Sequence, residues 1–167
     1  DTVVFDKTGT LTLGRPTVER VVVADGLAER EVIDLAASAE RGSEHPLAAA
    51  LVARAHLDEL GFRPTEAFEA LAGHGVRARV DGHDVLVGSA RLLADHDIPI
   101  APPTPDAAAR TVVHVAVDGR AAGAVTISDP VRPEAARAVR DLAAGGLEVW
   151  LVSGDQPAWV WAVAGAV

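Results

Sequence analysis

The sequence contains no cysteine. This absence excludes a disulfide, a thiolate nucleophile and a cysteine-based metal site. Clusters of lysine and arginine are also absent, and the formal net charge is −9, so the chain lacks the positive surface that binds nucleic-acid phosphates. No apolar run reaches the ~18 residues that a membrane-spanning helix requires. These absences disfavour the disulfide-stabilised, nucleic-acid-binding and membrane-spanning classes of protein.

The composition allows a packed core. Hydrophobic residues make up 49% of the 167 positions, which is enough for one domain or two small ones. The chain begins at Asp1, and its last residues, up to Val167, are apolar. We therefore expect the sequence to be one part of a longer protein.

The two ends of the chain predict half of a parallel α/β unit. Short apolar runs at Thr2 to Phe5 and at Leu147 to Val152 are typical of strands buried on both faces. A helix pattern precedes the second run, with Pro133 near its first turn and Gly145-Gly146 as its stop. We expect the two strands to pair in parallel, with the loop Ser153-Gly154-Asp155 at the end of the second strand.

The middle of the chain predicts an antiparallel sheet. Asp81-Gly82 and Asp118-Gly119 each lie between β-rich runs, where Asp-Gly is a strong signal for a hairpin turn. We expect helices to cover one face of this sheet. The other patterns predict one strand and three helices, at Val18–Val23, Glu29–Glu40, Pro46–Leu60 and Ser89–Asp97.

This order of elements predicts the fold class and the domains. The fold class is α/β with an α+β insertion, in which an antiparallel sheet flanked by helices is inserted into a partial parallel α/β domain. Residues 1–13 and 128–167 would form the discontinuous parallel domain, and residues 14–127 would form the insertion.

The stretch FDKTGTLT near the N-terminus carries the strongest chemical pattern. Asp6 would lie at the carboxyl end of a parallel strand, where open α/β sheets bind ligands, and its carboxylate is a nucleophile at pH 7. Lys7 supplies a cation, and Gly9 allows backbone N–H groups to form an anion-binding nest. The hydroxyls of Thr8 and Thr10 add donors, so the pattern suits transfer of a phosphoryl group to Asp6. A capped turn without chemistry is the alternative that these residue types leave open.

The string DKTGTLT resembles the phosphorylation signature of the P-type ATPases, the membrane cation pumps. These pumps share their phosphorylation domain with the haloacid dehalogenase-like phosphatases, so the resemblance implies a haloacid dehalogenase-like domain around Asp6. The phosphatases carry a second Asp two positions after the nucleophile, whereas this sequence has Thr8 there. The resemblance therefore favours a pump. A soluble phosphatase of the same superfamily and a nucleotide-binding module without turnover are the alternatives.

The inserted segment resembles the heavy-metal branch of these pumps. On residue types alone, Pro46 indicates a helix start, and the Gly-x-Gly at 73–75 indicates a bulge or hairpin edge. SEHPLA, at 43–48, is similar to the His-Pro motif of the branch, which implies that its histidine recognises adenine. The glycines of GHG and VGS stand where the branch lets nucleotide approach the backbone. The resemblance thus implies an ATP site formed by Glu40, His45, Gly73, Gly75 and Gly88.

On the phosphoryl side, the resemblance implies that Asp6 is the phosphorylated aspartate. Lys7, Thr8 and the loop of Asp155 would hold the phosphoryl group, since Ser-Gly-Asp is similar to the Thr-Gly-Asp motif of the family. The Asp6 carboxylate and the Thr8 backbone carbonyl would be ligands of Mg²⁺. The later Gly-Asp-Gly-x-Asn-Asp loop of the family does not occur in the sequence, so we expect little or no turnover by this chain alone.

The resemblance implies the ATP-binding and phosphoryl-accepting part of a heavy-metal P-type ATPase on the cytoplasmic face of a membrane, with copper favoured among the metals. Its cofactors would be ATP and Mg²⁺. Its partners would be the remaining membrane, actuator and phosphorylation segments of the pump, with no nucleic acid and no membrane insertion by this chain itself. The other histidines lack metal-ligand spacing, and we expect them on the surface or in loops: His56, His74, His83, His96 and His114.

Overall fold

The computed structural model describes residues 1–24, 26–100, 110–154 and 157–167, except for the side chains of residues 157–159. Its strands form two sheets. The smaller sheet pairs β1 (Thr2–Asp6) with β8 (Glu148–Val152) in parallel, with Val4 opposite Trp150. The two ends of the chain therefore lie side by side, and the predicted parallel pairing is confirmed.

The larger sheet is antiparallel, with six strands in the order β2-β7-β6-β5-β4-β3. Both Asp-Gly turns close hairpins, β4–β5 at Asp81 and β6–β7 at Asp118, as predicted. These two aspartates have φ of 50° and 48°, a left-handed conformation that aspartate adopts more readily than most residues. The strands are β2 Thr17–Val23, β3 Thr65–Leu71, β4 Gly75–Val80, β5 His83–Gly88, β6 Thr111–Val117 and β7 Arg120–Ser128.

Two helices cover one face of the six-stranded sheet. Helix α1 (Glu29–Glu40) has the predicted bounds. Helix α2 (Pro46–Leu57) is shorter than predicted because Glu59 adopts a left-handed φ of 53°, which a helix cannot continue through. Apolar side chains of both helices pack on the inward side chains of the sheet. The resulting cluster is the main hydrophobic core, and its largest fully buried members are Ile33, Leu51, Ile127, Val32, Val80, Val85, Val87, Val115 and Val125.

The expectation that helices cover only one face of this sheet is wrong. Helix α3 (Ala90–Ala94) packs on the opposite face, where Leu92 is buried in one cluster with Leu86 of β5. Val85 and Val87, the sequence neighbours of Leu86, belong to the main core. Because alternate residues of a strand point to opposite faces, β5 is buried on both sides. Its unbroken apolar sequence follows from that burial.

Strand β3 is not predicted by the sequence patterns. It lies at the edge of the sheet, and nearly all of its side chains are exposed. Its register with β4 shifts between Glu66 and Glu69, where Ala67 and Phe68 together stand opposite Ala78. This β-bulge interrupts the alternation of polar and apolar residues by which a strand is recognised in sequence.

Two helices accompany the parallel sheet. Helix α4 (Ala135–Ala144) leads into β8 between the predicted proline and glycine signals, and helix α5 (Pro157–Ala164) follows β8. The sheet keeps an exposed apolar face, on which Val4, Trp150 and Val152 are each more than half exposed. Within the described ranges, no helix is long and apolar enough to cross a membrane.

Candidate functional site

The carboxyl ends of β1 and β8 form one edge of the parallel sheet. Asp6 ends β1 opposite Val152, which ends β8, so the loops after both strands leave the sheet at this edge. The Asp6 side chain is exposed. Open α/β sheets bind their ligands at such an edge, so Asp6 has the position that a phosphoryl acceptor requires. Asp155 lies outside the described residues, and its role stays a prediction.

The turn after β1, residues Lys7–Leu11, is irregular. Thr8 is exposed and extended, with φ −78° and ψ 122°, whereas Gly9 has a left-handed φ of 77° that glycine adopts without steric cost. The Gly9 N–H donates to Thr12 Oγ1 at 3.2 Å, so this member of the expected anion nest is engaged within the turn. Lys7, the only lysine in the sequence, is buried.

A group of hydrogen bonds around Asp129, the residue after β7, joins the end of this turn to the segment that leaves the larger sheet. The buried Thr12 hydroxyl donates to Asp129 Oδ2 at 2.5 Å. The backbone N–H groups of Gly14 and Arg15 donate to Oδ2 and Oδ1 of the same carboxylate at 3.1 and 3.0 Å. Hydrogen bonds to an ionised acceptor are stronger than neutral ones. We call these four residues the hinge clasp, because they join the two crossings of the chain between its sheets.

Arg132 adds a second connection to the turn. Its Nη2 donates to the Gly9 carbonyl at 3.0 Å, and its backbone N–H donates to the Leu11 carbonyl at 2.8 Å. Sequence reasoning assigns no chemistry to Thr12, Asp129 or Arg132, because each is separated by more than a hundred positions from its partner. The predicted domain boundaries fall at both crossings, but they do not reveal the contact.

Glu40, the last residue of α1, has a buried carboxylate. It is 7% exposed, and its Oε2 has no hydrogen-bond partner in the described part of the chain. Burial raises the pKa of Glu40, and a hydrogen bond with the Ser43 side chain lowers it in part. An unsatisfied buried acceptor costs about 1–3 kcal/mol. A buried carboxylate with a perturbed pKa and an unsatisfied oxygen marks a candidate binding position.

His45 caps the N-terminus of α2. Its Nδ1 accepts the Leu47 N–H at 3.1 Å. Because a backbone N–H can only donate, this Nδ1 carries no hydrogen, and the neutral ring carries it on Nε2. Ser43 Oγ accepts the His45 N–H at 3.3 Å, and the Ser43 side chain also bonds Glu40. The loop of residues 41–45, here called the α1–α2 loop, therefore holds Glu40 and His45 through one shared serine.

The three candidate glycines differ in their surroundings. A Cβ on Gly75, whose φ is 142°, would lie 2.1 Å from the Val87 carbonyl oxygen, and a Cβ on Gly88 would lie 2.1 Å from the His74 carbonyl oxygen. The close approach of β4 and β5 therefore requires glycine at both positions in the absence of any ligand. Gly73 lies in the β3–β4 turn with φ 74°, and a Cβ there would meet nothing within 4 Å. Nucleotide contacts by these glycines stay predictions.

His114 differs from its predicted place on the surface or in a loop. It lies in β6, is 8% exposed, and burial lowers its pKa. The alternation of β6 cannot show this, because the strand is covered on both faces in the same way as β5. Within the described ranges, no group of three or more His, Cys, Asp or Glu residues could hold a metal ion.

A family model described as haloacid dehalogenase-like hydrolase matches residues 1–167. The chain belongs to this family. The match covers both sheets, and it agrees with the position of Asp6 at the carboxyl edge of the parallel strands. The haloacid dehalogenase-like domain that the sequence motif implies is thereby confirmed.

The relatives of this haloacid dehalogenase-like chain are heavy-metal pumps. The Mycobacterium tuberculosis protein named probable copper-exporting P-type ATPase V is 44% identical over 162 residues, which are 93% of this chain and 21% of that protein. A zinc-transporting PIB-type ATPase in its E2.Pi state matches 99% of this chain and 27% of its own, with a TM-score of 0.81 and 36% identity. The catalytic domain of the CPx-ATPase CopB-B, solved for its conformational changes upon nucleotide binding, matches 99% of this chain and 58% of its own, with a TM-score of 0.74 and 26% identity.

These similarities confirm the resemblance to the heavy-metal P-type ATPases and the mixed α/β fold class. The chain spans about a fifth of the length of the curated relatives it matches. What the whole pumps do is therefore not a property of this haloacid dehalogenase-like chain alone. The similarities test neither the individual site residues nor the domain boundaries.

The hinge clasp predicts the effect of Asp129→Ala. The substitution removes three hydrogen bonds to a carboxylate and leaves the buried Thr12 hydroxyl without that acceptor, so we expect a loss of about 2–4 kcal/mol in the free energy of unfolding. Amide hydrogen exchange at Gly14 and Arg15 should accelerate, because their N–H groups lose their acceptor. Urea unfolding and exchange detected by NMR measure the two effects.

Asp141→Ala is the matched control, because the Asp141 side chain makes an exposed ion pair with Arg137 at 3.5 Å and no other contact of it is found among the described residues. We expect it to change the free energy of unfolding by less than about 0.5 kcal/mol and to leave exchange at Gly14 and Arg15 unchanged. Equal effects of the two alanine variants would show that the clasp is not a stabilising element.

The raised pKa of Glu40 predicts a pH-dependent gain from Glu40→Gln. In the wild type, the unfolded chain loses the Glu40 proton near pH ~4.3 and the folded chain loses it at higher pH, so the stability contributed by this residue falls as pH rises between the two values. Above that window, the glutamine variant should melt about 2–4 °C higher. The difference should vanish below pH ~4.3. Melting curves from pH 4 to pH 8 measure it, with Glu44→Gln, an exposed position of the same loop, as the control.

Proposed function

We propose that this chain is the ATP-binding and phosphoryl-accepting cytoplasmic part of a heavy-metal P-type ATPase. Residues 14–127 would form the nucleotide-binding domain, and residues 1–13 with 128–167 would form part of the phosphorylation domain. The observation that carries the proposal is the buried Glu40 Oε2, which lacks a donor in the described part of the chain. The amino group of adenine is a donor of the kind that this oxygen lacks.

His45 supports the same proposal. Because Nδ1 is engaged by the helix cap, the ring offers an Nε2–H donor and an exposed imidazole face, and it needs no charge to contact adenine. Gly73, Gly75 and Gly88 would border the nucleotide. Of these three, Gly73 is the one at which a Cβ would meet no neighbouring atom, and its left-handed φ of 74° already favours glycine.

Phosphoryl transfer would take place at the edge formed by β1 and β8. A carboxylate oxygen of Asp6 would attack the γ-phosphorus of ATP in line, the bond to the β–γ bridging oxygen would break, and ADP would leave with that oxygen. Lys7, Thr8 and the loop of Asp155 would hold the phosphoryl group. Closure of the inserted domain would bring ATP to Asp6, and the conformational changes described for the CopB-B catalytic domain upon nucleotide binding support this step.

The residues at Asp6 are suitable for Mg²⁺. This ion prefers oxygen ligands and often binds through one or two carboxylates together with substrate phosphates, so the Asp6 carboxylate and the Thr8 backbone carbonyl could hold it without a larger cluster. When bound there, Mg²⁺ neutralises charge on the phosphates.

The pump itself would require segments beyond these residues. The copper-exporting and zinc-transporting relatives support a heavy-metal cargo, and copper is our proposal because curated relatives such as the Mycobacterium tuberculosis protein carry that name. Membrane, actuator and further phosphorylation segments would be the partners of this chain, which would act at the cytoplasmic face.

The proposal predicts that the folded chain binds ATP and that His45→Ala weakens binding about tenfold, the equivalent of one hydrogen bond or base contact. Calorimetric or NMR titration with ATP, with and without Mg²⁺, measures the affinity. Because His45 also caps α2, the alanine variant should lose about 1 kcal/mol of stability as well.

His45→Asn separates the two roles of this residue. Asparagine is a good N-cap, so this variant should recover the stability of the wild type while its ATP affinity stays low. Wild-type affinity in the asparagine variant would show that His45 serves the helix and not the nucleotide. A well-folded wild-type chain that binds no ATP would overturn the proposed function.

Asp6→Asn tests the phosphoryl acceptor. In a full-length pump that carries this chain, the substitution should abolish the acid-stable phosphoenzyme formed from γ-labelled ATP, because the amide is not a nucleophile. ATP binding by the chain without Mg²⁺ should not weaken, since a negative charge near the γ-phosphate is removed. Label that persists in the variant would exclude Asp6. Hydrolysis of a phosphomonoester by the chain without ATP would instead favour the soluble phosphatase.

A further inference from the structure

We propose that Phe68 is the stacking platform for the nucleotide base, a residue that the motifs do not indicate. This inference rests on the proposed ATP binding. Phe68 lies in the edge strand β3 and is 41% exposed. Within the described ranges, no second aromatic ring or cation faces its ring, whereas Phe62 contacts His56 and Arg41. An aromatic ring that leaves much of its apolar area in water is unfavourable for the fold alone.

The β-bulge sets the direction of Phe68. Ala67 and Phe68 together stand opposite the single residue Ala78 of β4, and Ala67 adopts a left-handed φ of 51°. Ala67 lines a groove with Glu69 and Arg77, while Phe68 meets the α1–α2 loop. A bulge changes where a side chain points, and bulges are enriched beside functional sites for this reason.

The contact with the loop involves the face of the Phe68 ring. A Cβ built on Gly42 would lie 3.8, 3.8 and 3.9 Å from Cδ2, Cγ and Cδ1 of Phe68. Nearly equal distances to these three atoms are possible only for a point above the ring, not beside its edge. One face of the ring is therefore turned toward Gly42, which has no side chain of its own to contact it.

Glu40 and His45, which lie on either side of Gly42 in the sequence, supply polar groups that a purine could contact. Gly42 is two residues from Glu40 and three from His45, so the ring packs on the loop that carries the unsatisfied carboxylate oxygen and the imidazole. A flat apolar face suits the plane of a base, and a carboxylate accepts from the amino group at the rim of adenine. Stacking on one ring contributes strongly to the binding of a base.

The experiment compares ATP with inorganic tripolyphosphate, which has no base. Phe68→Leu should weaken ATP binding by the chain about tenfold and leave tripolyphosphate binding unchanged. The upfield ring-current shifts of the adenine H2 and H8 signals on binding should be lost in this variant and restored by Phe68→Trp. Trp150→Leu, which removes an exposed aromatic ring of the parallel sheet, is the control and should retain those shifts.

A measurement on the wild type covers the case in which Phe68→Leu does not fold, as judged by circular dichroism. Nuclear Overhauser contacts between the Phe68 ring and adenine protons should then appear in the ATP complex, and their absence would overturn the platform. Equal weakening of ATP and tripolyphosphate by Phe68→Leu would also overturn it, because that pattern indicates a structural role. If the wild type binds ATP and Phe68→Leu changes the affinity for neither ATP nor tripolyphosphate, the stacking role of Phe68 is wrong while the proposed function stands. If the wild type binds no ATP, the proposed function is wrong, and the platform with it.

Discussion

The hydrogen bonds to the Asp129 carboxylate join the two segments that connect the parallel sheet to the antiparallel sheet. The two carboxylate oxygens receive one hydroxyl and two backbone N–H groups from the segment that leaves the parallel sheet, while Asp129 itself lies where the chain returns. The same Thr12 hydroxyl accepts the Gly9 N–H of the turn after β1. A shift of either crossing would therefore disturb the turn beside Asp6. The hinge clasp gives a physical route by which the orientation of the larger sheet can influence the backbone of the candidate phosphorylation site.

The α1–α2 loop combines groups that the fold alone does not favour. The Glu40 carboxylate and the Phe68 ring both lie beside this loop. Burial raises the pKa of Glu40, its Oε2 has no donor in the described part of the chain, and the phenyl ring is partly exposed. Each has a cost in the ligand-free chain. A bound adenine would satisfy the carboxylate and cover the ring with one molecule. Relief of these two costs, the unsatisfied oxygen and the exposed apolar ring area, would then contribute to the free energy of binding.

Sequence reasoning succeeded where the determining chemistry is local. The Asp-Gly turns at Asp81 and Asp118 and the bounds of α1 follow from patterns a few residues long. It failed where partners are distant in sequence. Strand β3 is hidden by its bulge and its polar edge, and the burial of His114 depends on α3 covering the second face of the sheet. The hinge clasp joins residues 117 positions apart, and no local pattern specifies such a contact.

The candidate glycines show that packing alone can require a residue that also matches a functional motif. Gly75 and Gly88 would be required even in a protein that bound nothing, because a Cβ at either position would meet a carbonyl oxygen at 2.1 Å. Their presence in the motif therefore gives little support to a nucleotide contact. The strongest physical argument for a ligand comes from the buried Glu40 Oε2, which has no donor in the described part of the chain, and from the partly exposed Phe68 ring. Features that do not favour the folded state occur mainly at functional sites. The unsatisfied Glu40 oxygen and the exposed part of Phe68 therefore indicate the site more directly than glycines that packing requires.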